Sequence, residues 1–165
     1  MCIRDRVEVE PNIGLTGCTN PTNGERLSFC PTDQNSVICF DTSRGGRLDY
    51  TGSLVMPEPE TEIYTTTLHD RLLIVAAPQK ITRFDQVHIY DVDPHALSGA
   101  NQQTITMDQV RQSDPLFRQT TLASDAKSLT PIGSQQLISL AGLESDSLHQ
   151  KAFLITDRGD VLQIS

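Results

Sequence analysis

Asp91, Asp93 and His95 come closest to a recognisable chemistry in this 165-residue sequence. They form a D-x-D-P-H run at the end of a strand-like stretch. Carboxylates at alternate positions offer oxygen to a hard cation such as calcium, and an added imidazole shifts the preference toward a transition metal. A calcium loop also needs further oxygen donors and a glycine at its sharp turn, and the run has neither. The same residues spell an Asx turn ahead of a proline, which needs no ligand. Asp91, Asp93 and His95 are therefore the metal candidates, the turn is the preferred reading, and no cofactor is expected.

Other reactive residue types are scattered. His69, His88 and His149 fall in a turn, a strand-like run and a loop. A general base needs a nucleophile within hydrogen-bond reach and a carboxylate to orient it, and no spacing selects any of the three. There is no G-x-S-x-G elbow, and apart from Gly45-Gly46 the glycines are singletons, so no phosphate-cradling loop is written. No catalytic residue is assigned. Arg158-Gly159-Asp160 matches an adhesion tripeptide, but it lies between two strand-like runs where a glycine turn is what a hairpin requires. Glu58, Glu60 and Glu62 make an acidic connection that suits a basic partner or simply a solvated linker. Arg44, Arg47 and Arg83 are too dispersed to form a patch.

Charge and composition narrow the partners. The formal net charge is −8, from 21 acidic and 13 basic residues. That balance argues against nucleic acid, whose binding rests on Lys and Arg releasing counterions. No window approaches the roughly 18 apolar residues of a membrane-spanning helix. Cys2, Cys18, Cys30 and Cys39 lack the two-residue spacing of a zinc site. Cys30 and Cys39 fall in adjacent strand-like runs, where a disulfide is geometrically possible and a pair of buried free thiols is the preferred reading. Compartment stays open.

The elements behind these residues read as strands. Leu72 to Ala77 is continuously apolar, and Val87, Ile89 and Val92 alternate with polar positions before Asp93-Pro94 ends the run. Strands are expected at 26–30, 36–41, 47–54 and 61–68, with turns at 31–35, 45–46 and 69–70. Val37 to Phe40 carries apolar groups on both faces, as in an inner strand packed on two sides. HALSGANQQ reads as loop, QTITM as a short strand, MDQVRQSDPLF as a helical turn or loop, and 117–122 as another strand. Leu137 opens an apolar run 65 residues after Leu72, and Ala152 opens its partner 65 residues after Val87. Two elements at one shared offset indicate an internal repeat, and Leu27 with Val37 gives a shorter earlier copy.

Repeated meanders of this kind suggest an all-β fold of about three four-stranded antiparallel blades, an incomplete β-propeller, with a β-sandwich as the alternative. The strings SVICFDTSRGGRL and QVHIYDVDPHAL resemble the inner-to-outer strand passage of WD-repeat and quinoprotein-type propellers. The Trp-Asp and Gly-His pairs of true WD repeats are absent, and the chain has no Trp. On this reading residues 1–6, MCIRDR, are a non-native leader resembling translated adapter DNA. Residues 7–55 form a first partial blade, 56–60 a proline-rich linker and 61–107 a second blade. Residues 108–128 form a loop or short helical insertion, and 129–165 a third blade cut at its C-terminal end. The remaining blades would then be missing.

The resemblance implies a non-catalytic protein-interaction or scaffolding role, with rim loops such as Pro94–Gln102 and Gly142–Gln150 meeting another protein. A propeller enzyme, of quinoprotein-oxidoreductase or hydrolase type, is the first alternative. It needs titratable groups converging from the first strand of each blade, where this sequence offers mainly Thr65, Thr67 and Ser128. An extracellular adhesion module is the second alternative.

Overall fold

The computed structural model describes residues 16–19, 26–32, 35–45, 47–59, 62–122, 126–128, 138–146, 148 and 150–164. The expected leader at 1–6 and the first residues of the expected third blade, 129–137, lie outside them. The first sheet begins with β1 (Thr16–Thr19), β2 (Arg26–Pro31), β3 (Ser36–Asp41) and β4 (Asp49–Val55), each antiparallel to the last. The second begins with β5 (Glu62–Leu68), β6 (Arg71–Ala77) and β7 (His88–Val92), again antiparallel. An excursion follows through helix α1 (Pro94–Ser98), β8 (Gln103–Thr106) and helix α2 (Met107–Ser113), before β9 (Arg118–Thr121) returns to pair with β7. The third sheet comprises β10 (Ala126–Ser128), β11 (Leu140–Asp146), β12 (Lys151–Thr156) and β13 (Val161–Ile164), in the order β10-β13-β12-β11.

The chain is mostly β, in three sheets rather than the two of a β-sandwich. The second sheet is the middle layer. Leu72, Ile74 and Tyr90 on one of its faces pack with Leu27, Phe29 and Val37 of the first sheet. Leu73, Val75 and Ile89 on the other face pack with Leu143, Leu154 and Leu162 of the third. This explains why β6 reads as an unbroken apolar run: alternate side chains enter two different cores. Each such side chain, fully buried, contributes roughly 1.5–3 kcal/mol. The two-sided packing expected of β3 is also seen, with Val37 and Cys39 in one cluster and Ile38 and Phe40 in another.

The two cysteines follow from the same alternation. Cys39 stands opposite Phe29 in the ladder and Cys30 opposite Ile38, so their side chains point to opposite faces. Cys39 is buried and outside any disulfide, whereas Cys30 is disulfide-bonded. The expected pair of free thiols is therefore corrected for Cys30, and Cys30–Cys39 is not the bond.

Several strands lie elsewhere than the repeat suggests. β8 does not extend the second sheet but runs parallel to β4 at the edge of the first. The fourth strand of the second sheet is β9, and that of the third is β10. The 65-residue offset matches β6 and β7 with β11 and β12, yet β6 is a central strand and β11 an edge. The positional counterparts are β2, β6 and β12, each second in its sheet. Apolar runs of similar length in neighbouring strands make a one-strand slip invisible in sequence.

The excursion is built from local signals. Asp93 caps α1 by accepting from the His95 amide at 2.9 Å, and Pro94 supplies its first-turn residue. Residues 94–98, expected as loop, are therefore helical. Thr106 and Gln109 form a reciprocal capping box on α2. Where α1 crosses β4, the helix backbone approaches Gly52. A Cβ there would lie 2.5 Å from the Ala100 Cβ and 2.7 Å from the Leu97 carbonyl oxygen. Replacing Gly52 with Ala should cost about 1–3 kcal/mol. Chemical denaturation checks this; an unchanged midpoint would mean that α1 does not sit against β4 in solution.

Candidate functional site

The D-x-D-P-H residues are placed by three different jobs. Asp91, on β7, accepts from Arg71 Nε at 2.5 Å. Asp93 is spent on the α1 cap, as the Asx-turn reading expects. His95 lies in α1, and its Nδ1 is buried without a hydrogen-bond partner. Among the described residues, no group of three His, Cys, Asp or Glu side chains is arranged to hold a metal ion.

What these residues do surround is a carboxylate that the sequence does not advertise. The Asp114 side chain is 2% exposed and takes Arg71 Nη2 on Oδ2 at 2.6 Å. The same oxygen accepts from the Asp93 amide at 2.9 Å, and Oδ1 accepts from the Leu116 amide at 3.0 Å. Burial alone would raise the Asp114 carboxyl. The Arg71 guanidinium and the two amides outweigh it and hold the group below its ordinary value. Burial likewise opposes charge on Arg71, but Asp114 and Asp91 raise its pKa above the usual guanidinium value. One carboxylate thus fastens the start of the excursion, its return and the middle sheet.

The remaining candidates separate. His69 and Asp70 form the exposed two-residue turn between β5 and β6, with φ of 55° and 57°. His88 is half-buried on β7 and stacks on Tyr90. His149 and Glu60 lie outside the described residues. Glu58 is exposed after β4, and Glu62 is half-buried on β5. Arg83 pairs with Asp85 at 3.2 Å, whereas Arg44 and Arg47 lie in the β3–β4 hairpin. Thr65 and Thr67 are on β5, a first strand, and the buried Thr65 hydroxyl has no partner. Ser128 is on β10, at the opposite edge of its sheet from the first strand β11, so it does not join them. Arg158 and Gly159 are exposed in the β12–β13 turn. The Asp160 carboxylate lies 3.4 Å from the Thr156 hydroxyl, so it helps to hold the hairpin, in keeping with the turn reading.

A shallow cleft of about 460 Å³ opens beside β9, lined by His88, Arg111, Phe117, Gln119, Thr120 and Thr121. The Arg111 guanidinium lies 5.2 Å from the Phe117 ring centre and donates to Gln119 Oε1. No family model matches this chain, and no curated protein or solved structure matches it either.

The ladders also define two ends of the layered sheets. Leu72 pairs with Val92 and Arg118 with Asp91, so the β5–β6 turn, the start of α1 and the start of β9 share one end. α2 runs from the end of β8 to Asp114 at that end, and β8 is parallel to β4, which puts the β3–β4 hairpin there too. Tyr64 near the start of β5 donates to the Leu140 carbonyl at the start of β11, so the β11–β12 hairpin also falls there. Among the described residues the exposed large hydrophobics are Leu48, Leu116 and Leu148, at 47%, 68% and 84%. All three lie on loops at this end, one from each sheet.

Proposed function

We propose that the chain belongs to a non-catalytic, protein-binding scaffold of β-propeller type, which meets its partner through the end carrying Leu48, Leu116 and Leu148. The shared placement of these leucines carries the reading. A single exposed leucine needs no explanation, but apolar side chains gathered from three layers on one surface mark interaction sites. Packed sheets lie about 10 Å apart, so the three loops span roughly 20 Å, a width that suits an ordinary protein interface. The two rim segments singled out in the sequence, 94–102 and 142–150, lead to this same end, although 94–98 is helix and 142–146 is strand. The propeller part of the reading is supported by edge strand β5 packing against both β1 and β11, as first strands do around an axis.

Photo-crosslinking in the producing cells tests the reading. A photoreactive residue at 48, 116 or 148 should give one shared adduct, with none from controls at Lys80 and Arg158 on the opposite end. Adducts formed alike at both ends, or none from the leucine positions, would remove the interaction surface.

A further inference from the structure

We infer that the cleft between α2 and β9 is a carboxylate-binding site, independent of the leucine-bearing end. Its lining is rich in donors. Arg111 projects from α2 over Phe117, and Gln119 uses its carbonyl on Arg111, which leaves its amide nitrogen to donate. Thr121 and the imidazole of His88, paired across the ladder on the same face as Gln119, complete the wall. The guanidinium lies 5.2 Å from the centre of an aromatic ring and carries a planar fork of N–H groups, the shape that a carboxylate accepts.

The protein already shows the chemistry once. Asp108, one helical turn before Arg111, places its own carboxylate 3.5 Å from the guanidinium. That aspartate is 80% exposed and Arg111 is 52% exposed, so the pair is held weakly and a ligand carboxylate can take its place. Other charges near the cleft are Glu58, which acts on the Tyr90 ring beneath, and Arg118 on β9 beside Gln119. Phe117 favours a carboxylate borne on a flat apolar body. Two sources meet that description: a small aromatic acid, or the terminal carboxylate of a peptide ending in an aromatic residue.

The test follows the His88 and Arg111 side-chain NMR signals of the full chain during titration. Benzoate should give saturable shifts, and neutral benzamide should give none. Arg111→Gln should abolish the benzoate shifts at His88. Asp108→Asn, which removes the internal competitor and leaves the Arg111–Phe117 contact, should tighten benzoate about two- to fivefold. N-acetyl-phenylalanine binding more tightly than benzoate would assign the site to a peptide terminus, and the reverse order to a free acid. Equal shifts from benzamide, no benzoate shifts, or no tightening in Asp108→Asn would each overturn the site, whatever the crosslinking of the leucines shows.

Discussion

Replacing Asp114 with Ala should destabilise the protein by about 3 kcal/mol, a large share of the stability of an ordinary domain. The loss has three parts. Arg71, whose side chain is 17% exposed, keeps Asp91 but loses the better-buried of its two carboxylates. The Asp93 and Leu116 amides lose their acceptor together, so both ends of the 93–117 excursion are released. Asp114→Asn keeps the shape but not the charge, and it should cost less than Ala because its carbonyl still accepts. The sign of the pH dependence follows from the lowered carboxyl. A group whose folded pKa lies below its unfolded value stabilises fully above the unfolded value, near 3.9 for Asp, and the stabilisation disappears as pH falls through the folded value. Wild-type stability should therefore hold from neutrality to about pH 4 on this account and fall below it, with a shallower fall in Asp114→Asn. Urea midpoints across that range check both statements. An Asp114→Ala midpoint within about 0.5 kcal/mol of wild type would show the clamp to be incidental.

How much of this was legible depends on the range of the interaction. Local signals read well: the strand at 36–41 and the turn at His69-Asp70 stand where the sequence puts them. The helix start at Asp93-Pro94 is a local signal too, but the turn-and-loop reading of Asp93-Pro94 and HALSGANQQ missed it. Contacts between distant residues were not readable. Asp114 meets Arg71 across 43 positions, and nothing near Asp114 distinguishes it from an ordinary loop aspartate. β8 illustrates a competition between sheets. QTIT suits any edge, and the capped helices on either side of it decide that it reaches β4 rather than β7. The leucines at the shared end were invisible for another reason: Leu48, Leu116 and Leu148 are apolar letters like any other, and only the fold reveals that they are left outside. Asp91 and Asp93 stand out in the sequence as metal candidates beside an Asx turn. Their partners proved to be an arginine and a helix end, which satisfy the same oxygens that a cation would have used.

The middle sheet supplies the second large effect. Ile74 and Val75 are neighbours on β6 and both fully buried, but they enter different cores. Truncating Ile74 to Ala removes packing against the first sheet and should cost about 2–5 kcal/mol; Val75→Ala, which deletes less, should cost less than this at the third-sheet side. Magnitude is only half of the expectation. If one strand truly supplies both cores, neither can unfold while the other keeps its partner wall. Each variant should then lower a single cooperative transition, seen alike by tyrosine fluorescence and by backbone circular dichroism. Tyr90 sits in the first core and Tyr64 in the second, so the fluorescence samples both. A two-step transition, with Ile74→Ala moving one step and Val75→Ala the other, would mean that the sheets are separate folding units sharing a strand only in contact. A single shifted step in both would make β6 the element on which the three layers depend.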